Sequence, residues 1–217
     1  MTLPAFIFDL DGVIVSTDEF HYLGWKQMAD EEGIYFDRAI NERLRGVSRM
    51  ESLSIILEKA SRSYSKQEME QMAARKNMYY RQLLERLTPA NILPGVSDFL
   101  AALKAAGIKM AIGSSSKNTP MILAKIGLAD FFDAVADGNQ IKNSKPDPEV
   151  FLLAATLLGI DPVSCVVVED AEAGVDAARA AGMKVIGVGS AASSPNADFR
   201  AADLSCIQAE AIVEQLT

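Results

Sequence analysis

Residues 5–13 read AFIFDLDGV, a short apolar run followed by Asp9, Asp11 and Gly12. Four consecutive apolar residues before a turn are typical of a strand buried in a parallel sheet. The two carboxylates lie where this strand ends, one residue apart, and they repel each other. A protein keeps such a pair mainly when a cation or a reacting group uses it, although turns also favour Asp and Gly for backbone reasons alone.

Two further apolar stretches also end in polar side chains. Residues 109–113 are followed by the Ser-Ser-Ser-Lys-Asn run of 114–118, and residues 165–168 are followed by Glu169-Asp170. Between them, Lys145-Pro146-Asp147-Pro148 is expected to open a helix. Open parallel α/β sheets bind their ligands at the carboxyl ends of the strands. The polar sets therefore predict one shared site.

From about residue 93 onward the chain repeats a helix, a terminating glycine and an apolar strand. The predicted helices cover 97–106, 120–126, 148–158 and 171–181, and another strand covers 184–188. Helices and strands that alternate in this way form right-handed crossovers and a parallel sheet that is covered on both faces. The sequence therefore predicts an α/β fold with a Rossmann-like core.

Residues 17–87 differ, because they show helical periodicity and no strand-like run. They predict an all-helical domain inserted into a core of residues 1–16 and 88–217, with connecting passages near 14–16 and 87–91. Residues 17–88 are electrically balanced, which suits either a solvated helical surface or a lid over an anionic substrate. Three buried helix faces are predicted: Trp25, Met28 and Ala29; Leu53, Ile56, Leu57 and Ala60; and Met69, Met72, Tyr79, Leu83 and Leu84.

Composition excludes several classes of partner. The chain has 217 residues, 49% of them hydrophobic, which is enough for a sizeable core. A net charge of −8 argues against nucleic acid and anionic membranes as main partners, because both bind proteins through positively charged surfaces. No stretch approaches the ~18 apolar residues of a membrane span, and the start of the chain has no secretion signal, so a cytoplasmic location is expected. The two cysteines, Cys165 and Cys206, have no metal-site or disulfide spacing.

The combined polar sets resemble the haloacid dehalogenase superfamily of phosphotransferases. That pattern consists of Asp-x-Asp after the first strand, a hydroxyl after the second, a lysine, and then a paired acid. The resemblance to the beta-phosphoglucomutase branch is closer still, and it covers nearly the whole chain. It rests on His21, the Gly-Val-Ser-Arg run of 46–49, Arg75-Lys76-Asn77, Ser116-Lys117-Asn118 and Ser144-Lys145-Pro146.

This resemblance implies a Rossmann-like core with a helical cap, and it assigns roles to the acids. Asp9 is expected to attack phosphorus and form an aspartyl-phosphate, and Asp11 to act as general acid and base. Repulsion between a phosphate and the clustered acids implies Mg²⁺. Its expected ligands are Asp9, the Asp11 backbone carbonyl and Asp170, with Glu169 coordinating the ion or ordering a water.

The same resemblance implies two sets of groups that bind the substrate. One set would donate hydrogen bonds to the charged oxygens of the transferred phosphoryl group, and it consists of Ser114, the Ser115 amide and Lys145. Arg49, with Ser116, Lys117 and Asn118, would hold a second phosphate. Closure of the cap would bring His21 and Lys76 inward to orient Asp11. The remaining positions expected on the substrate side are Thr17, Trp25, Gly46, Val47, Ser48 and Ser52.

The implied reaction interconverts β-D-glucose 1-phosphate and glucose 6-phosphate, with glucose 1,6-bisphosphate as activator and intermediate. A monomeric enzyme that acts on a small sugar phosphate is expected. Three other readings stay open: a sugar-phosphate phosphatase, a carbon–halogen hydrolase and an inactive sugar-phosphate sensor. The sequence departs from the family pattern at Ser16, Arg45 and Ser115 and in the stretch after Gly189. The departure at Ser16 bears on the hinge or the sugar contacts.

Overall fold

The computed structural model describes residues 4–44 and 47–216. The strands are Ala5–Phe8 (β1), Met110–Gly113 (β2), Ala134–Ala136 (β3), Cys165–Glu169 (β4), Lys184–Gly187 (β5) and Phe199–Arg200 (β6). The helices are Asp18–Glu31 (α1), Arg38–Glu42 (α2), Arg49–Leu57 (α3), Lys66–Leu84 (α4), Val96–Ala105 (α5), Thr119–Lys125 (α6), Glu149–Leu158 (α7), Glu172–Ala180 (α8) and Ala209–Leu216 (α9).

The six strands of the described chain form one parallel sheet in the order β3-β2-β1-β4-β5-β6. β1 lies at its centre, between β2 and β4. This topology confirms the predicted parallel α/β core. Because the three central strands end at the same edge, Asp9, Ser114 and Glu169 come side by side although they are far apart in sequence.

Side chains of β1 alternate between two apolar cores, one on each face of the sheet. Phe6 and Phe8 belong to one cluster with Phe99 of α5, whereas Ile7 belongs to another with Phe151 of α7. Every residue of β1 is buried. This is the pattern of a central parallel strand, which is covered on both faces and reads as a continuous apolar run.

Helices α1 to α4 follow β1 and enclose an apolar core of their own, which contains Trp25, Met28, Leu53 and Ile56. Helix α4 begins at a capping box formed by Ser65 and Glu68. Its last turns join the sheet core instead, through Tyr80 and Leu84. Helix α4 therefore packs in both cores. Division into a domain of 1–16 plus 88–217 and a helical cap of 17–87 stays our proposal.

The two passages between the sheet and the helices run beside each other. Val15 bridges to Asp11 and to Ile92, and the Leu93 amide donates a hydrogen bond to the Ile14 carbonyl at 2.9 Å. The predicted hinge segments are thus in contact at the two ends of helices α1 to α4, which we call the helical block. Among the described helices, none has the length and apolar character needed to cross a membrane.

The run of 145–148 leads into a helix as predicted, since Pro148 is the N-cap residue of α7 and the Glu149 amide donates to the Asp147 side chain at 3.0 Å. The apolar face predicted for α4 was wrong in part. On α4 the buried face contains Met72, Lys76, Tyr80 and Leu84, at intervals of four residues, and Tyr79 is only half-buried. A lysine within that face interrupts the apolar pattern from which the stripe was predicted.

Candidate active site

A cavity of about 630 Å³ lies between the helical block and the carboxyl ends of β1, β2 and β4. Of the predicted site residues, Thr17 does not line it and lies behind Asp11 instead, and Gly46 falls outside the described residues, as does Arg45. The structure brings the others together at its wall: Asp9, Asp11, His21, Trp25, Val47, Ser48, Arg49, Ser52, Lys76, Ser114, Ser115, Ser116, Lys117, Asn118, Lys145, Glu169 and Asp170.

Lys145 joins the ends of β1 and β4. Its ammonium donates to Asp9 Oδ1 at 2.5 Å and to Glu169 Oε2 at 2.9 Å, and its side chain is only 4% exposed. Burial alone would lower the pKa of Lys145, but the two carboxylates outweigh it and raise the pKa above the ordinary lysine value. The peptide bond from Lys145 to Pro146 is cis. Lys145 therefore holds a fixed positive charge beside Asp9.

Three carboxylates form a group that fits a hard divalent cation. Oxygen atoms of Asp9, Glu169 and Asp170 lie within 4.8 Å of one another. Burial and mutual repulsion raise the pKa of Glu169 to about 7 and that of Asp170 to about 8. A cation among them would relieve this repulsion, and an all-oxygen donor set suits Mg²⁺. The Asp11 side chain is not part of this group, so only its backbone could contribute.

Gly12 makes the close approach of these acids possible. Its φ of 83° lies in the left-handed region, which glycine adopts without strain. A Cβ at this position would also overlap the Asp170 carboxylate. The turn after β1 therefore needs glycine both for its backbone conformation and for the space above Asp170.

The Asp11 carboxylate is held by Thr17. The Thr17 amide donates to Asp11 Oδ1 at 2.6 Å, and the Thr17 hydroxyl donates to Oδ2 at 2.5 Å. Burial, with the nearby negative charge of Asp18, raises the pKa of Asp11 to about 7. A carboxyl group that titrates near neutrality can both give and accept a proton, as a general acid and base must.

His21 and Lys76 form a pair next to Asp11. Lys76 Nζ lies 2.9 Å from His21 Nδ1, and His21 Nε2 lies 3.8 Å from Asp11 Oδ2. Burial lowers the pKa of Lys76 well below its usual value, and the Arg49 charge lowers it further. Burial and the Lys76 charge likewise lower the pKa of His21. When Lys76 is charged it can only donate, so that Nδ1 accepts and a neutral imidazole carries its proton on Nε2, toward Asp11. The Lys76 ammonium also lies 4.7 Å from the centre of the Trp25 ring.

A second cluster of donors lies in the same cavity. The loop after β2 orders itself, since the Ser116 amide donates to Ser114 Oγ and the Asn118 amide donates to Ser116 Oγ, both at 3.2 Å. The Asn118 side chain donates to Asn77 of α4 at 3.0 Å, which connects this loop with the helical block. Lys117 adds a positive charge at the cavity wall.

Arg49 faces the cavity from the start of α3. Ser48 caps this helix by accepting from the Glu51 amide at 3.3 Å, so its hydroxyl has a structural partner. Burial lowers the pKa of the Arg49 guanidinium. Within residues 4–44 and 47–216 no ion pair neutralises Arg49, so its charge is available to an anion. Ser52, one turn further along α3, is buried and lines the same wall.

Several wall residues were missed from the sequence. The most informative is Tyr80, because its hydroxyl lies 2.8 Å from Thr17 Oγ1. Its position four residues after Lys76, on the same helix face, is the signal that could have found it. Asn77 and Ser144 also line the cavity, and they belong to the quoted motifs without having been given a role. The others include Asp18, Asn41, Glu70, Gly138 and Lys142. These are ordinary surface residue types whose shared location depends on the fold.

The fold and the site together define a class of phosphotransferases. Paired aspartates follow the central strand of a parallel sheet, and a buried lysine and a second acidic pair lie beside them. The model of the haloacid dehalogenase-like hydrolase family matches residues 3–182. The chain belongs to this family, so the resemblance seen in its motifs is confirmed.

Individual relatives are similar over nearly the full length. The chain is 42% identical to a beta-phosphoglucomutase of Bacillus subtilis, over 98% of this chain and 95% of the relative. A crystal structure of a beta-phosphoglucomutase from Clostridium difficile superposes with a TM-score of 0.92 at 41% identity, covering 99% of this chain and 97% of that one. A phosphorylated carbohydrates phosphatase of Thermotoga maritima is 30% identical over 99% of this chain and 98% of its own length.

Proposed function

We propose that this enzyme is a phosphoglucomutase that interconverts β-D-glucose 1-phosphate and glucose 6-phosphate. The proposal rests on one observation. A single cavity contains both the groups around Asp9 that would transfer a phosphoryl group and a separate set of groups, around Arg49 and Lys117, that would bind an anion. A phosphatase needs only the first of these. A mutase must hold a substrate that carries a phosphate at either end. Similarity to enzymes named beta-phosphoglucomutase over nearly the whole chain supports the same choice.

The cycle begins with a phosphoryl group on Asp9, which an Asp9 oxygen has taken from the bisphosphate. In the first step the free hydroxyl of β-glucose 1-phosphate attacks that phosphorus, the bond from phosphorus to Asp9 breaks, and Asp11 takes the proton of the hydroxyl, which gives glucose 1,6-bisphosphate. In the second step an Asp9 oxygen attacks the other phosphorus, the bond from that phosphorus to the sugar oxygen breaks, and Asp11 gives its proton to the leaving oxygen, which releases glucose 6-phosphate. Two easier displacements replace one difficult substitution, and the raised pKa of Asp11 suits both directions of proton transfer.

Hydrogen-bond donors that are already in place stabilise the negative charge of the transferred phosphoryl group. Lys145 already lies against Asp9, and Ser114 follows the neighbouring strand, so neither needs to reorganise during transfer. Carboxylates of Asp9, Asp170 and Glu169, with the Asp11 backbone carbonyl, would hold Mg²⁺, which supplies positive charge between the phosphate and these acids. The pKa values of Glu169 and Asp170, raised by burial, support a cation at this position.

The intermediate of this cycle is glucose 1,6-bisphosphate, which has to turn over between the two half-reactions. Each phosphate must then fit the distal donors Arg49, Ser116, Lys117 and Asn118 in turn. We also propose that closing of the helical block brings His21 and Lys76 toward Asp11, as their present contact suggests. The protein is proposed to work as a monomer in the cytoplasm.

One assay separates the mutase from a phosphatase. The protein is incubated with β-glucose 1-phosphate, Mg²⁺ and a trace of glucose 1,6-bisphosphate, and both glucose 6-phosphate and free phosphate are measured. The proposal expects glucose 6-phosphate as the main product. Free phosphate without glucose 6-phosphate would support a phosphatase instead, and binding without turnover would support a sensor.

A further inference from the structure

The hydroxyl of Tyr80 reaches Asp11 through a single intermediate group. Tyr80 is 1% exposed, and its oxygen lies 2.8 Å from Thr17 Oγ1. Thr17 is equally buried, and its hydroxyl lies 2.5 Å from Asp11 Oδ2. A buried chain of three polar groups thus runs from helix α4, through Thr17 at the start of α1, to Asp11.

The direction of each hydrogen bond follows from counting protons. A threonine hydroxyl has one hydrogen, and with Asp11 ionised that hydrogen is donated to Oδ2. The contact between the two hydroxyls therefore has Tyr80 as its donor and Thr17 as its acceptor. Burial raises the pKa of Tyr80, so that its phenol keeps the proton it donates. Such a chain strengthens the bond that Thr17 makes to Asp11.

The Tyr80 ring also contacts the other two groups near Asp11. Its centre is 4.1 Å from that of the His21 ring, and the Lys76 ammonium lies 4.6 Å from it. A phenylalanine would keep the ring and both of these contacts. The substitution Tyr80→Phe therefore removes the hydroxyl alone, which makes the contribution of the hydrogen-bond chain measurable.

We propose that Tyr80 is a positioning residue, which holds the Asp11 carboxyl group in place through the Thr17 hydroxyl. The inference rests on the proposed function. To the proposed function the inference adds a specific route, through Tyr80 and Thr17, by which helix α4 controls the proton transfer at Asp11. Without the phenol, the Thr17 hydroxyl can rotate away, and Asp11 loses one of its two fixed partners. The proton donor is then misplaced when the sugar oxygen leaves.

The first test compares Tyr80→Phe with Tyr79→Phe. Tyr79 is the neighbouring residue on α4, does not line the cavity, and donates its hydroxyl to Glu31 at 2.7 Å. General acid–base catalysis contributes ~10²–10⁴-fold. We expect Tyr80→Phe to lower kcat for β-glucose 1-phosphate by about tenfold and to leave KM within about twofold, whereas Tyr79→Phe changes neither. An unchanged kcat in Tyr80→Phe would overturn the proposal.

The second test is a double-mutant cycle with Thr17→Val, which keeps the shape of Thr17 and removes its hydroxyl. If Tyr80 acts through Thr17, adding Tyr80→Phe to Thr17→Val should lower kcat by less than about twofold further. If Tyr80→Phe costs the same factor with and without the Thr17 hydroxyl, the phenol acts by another route and the proposal fails.

The third test separates positioning of the acid from general damage. In the transfer from p-nitrophenyl phosphate to Asp9, nitrophenolate leaves with the electron pair of the broken bond and needs no proton from Asp11. The rate of the first nitrophenolate release, before the phosphoryl group leaves Asp9 for water, should therefore be nearly the same for Tyr80→Phe and the wild type, while transfer from the sugar phosphate slows. Because both rates come from one sample, a loss of folded protein cancels in their ratio. An equal loss with both donors would overturn the proposal.

These results remain distinguishable from a failure of the proposed function. If the wild type makes no glucose 6-phosphate, the mutase assignment is wrong, whatever the variants do. If the wild type makes glucose 6-phosphate and Tyr80→Phe does so equally fast, only the inference about Tyr80 is wrong.

Discussion

Buried carboxyl groups at the ends of β1 and β4 dominate the chemistry at the scale of single residues. In the unfolded chain such groups lose their protons at about pH 4, whereas in the fold Glu169 has a pKa of about 7 and Asp170 of about 8. Between these values the two carboxyl groups bind more protons in the fold than in the unfolded chain. Their contribution to the free energy of unfolding therefore falls as the pH rises through this window.

This linkage gives a prediction for the metal-free protein. In the presence of a chelator, Tm should fall as the pH is raised from about 6.5 to about 8.5. Adding Mg²⁺ at the upper pH should raise Tm again, because the ion binds the folded state and replaces the protons between the carboxylates. Thermal unfolding at several pH values checks both effects. A Tm that ignores Mg²⁺ at pH 8.5 would count against a cation site here.

The sequence predicted those residues of the site whose side chains are charged and belong to a recognisable motif. Asp9, Asp11 and Lys145 belong to motifs, and their types suit transfer of a charged group. Tyr80 was missed because a tyrosine on an amphipathic helix reads as part of the core, and the ring does pack there. The role that we propose for it depends on where its hydroxyl points, which only the packing of α4 against the start of α1 determines.

At the scale of elements, helix α8 is fitted closely to the acid at the end of β4. Gly174 lies in its first turns, and a Cβ there would overlap the Glu169 side chain. In a helix, Gly→Ala ordinarily stabilises by about 1 kcal/mol. We expect the opposite for Gly174→Ala: Tm should fall, and Mg²⁺ should stabilise the variant less than the wild type. A higher Tm in this variant, measured by thermal unfolding, would contradict the close packing.

Secondary-structure elements were predictable where their signal was long. Helices α5 to α8 begin and end within about a residue of the prediction, because a glycine or a proline marks their ends. Strands β3 and β6 were not predicted. They have three and two residues, and both lie toward the edges of the sheet, so that neither needs the long apolar run that identifies a central strand.

At the scale of the whole molecule, the cavity depends on two separate parts of the chain. The sheet supplies Asp9 and the loop after β2, while the helical block supplies Arg49 and Lys76. Motif positions alone suggested that these groups meet. Their distances and partners, such as the bond between Asn118 and Asn77, depend on how α4 packs against the sheet. No local pattern encodes that packing.

This arrangement predicts that Arg49 affects binding of the distal phosphate more than phosphoryl transfer itself. Arg49→Ala should raise KM for β-glucose 1-phosphate by about tenfold to a hundredfold, since a charge-assisted hydrogen bond is worth about 1.5–3 kcal/mol. Phosphorylation of Asp9 by p-nitrophenyl phosphate, which has no second phosphate to hold, should change little.

Arg43→Ala is the matched control. Arg43 also lies in the helical block, but it is exposed and pairs with Glu58 at 2.8 Å. Steady-state kinetics of both variants should show an increase in KM for Arg49→Ala alone. Equal KM values for Arg49→Ala and the wild type would show that the distal phosphate binds elsewhere.

Covalent phosphorylation of Asp9 is the step on which the proposed mechanism depends, and it can be observed directly. The protein is mixed with Mg²⁺ and a phosphoryl donor, quenched in acid and analysed by intact-protein mass spectrometry followed by peptide mapping. We expect the wild type to gain one phosphoryl group on Asp9, and Asp9→Asn to gain none and to lose turnover by more than about a thousandfold. A phosphoryl group on another residue, or an Asp9→Asn protein of undiminished activity, would contradict the account.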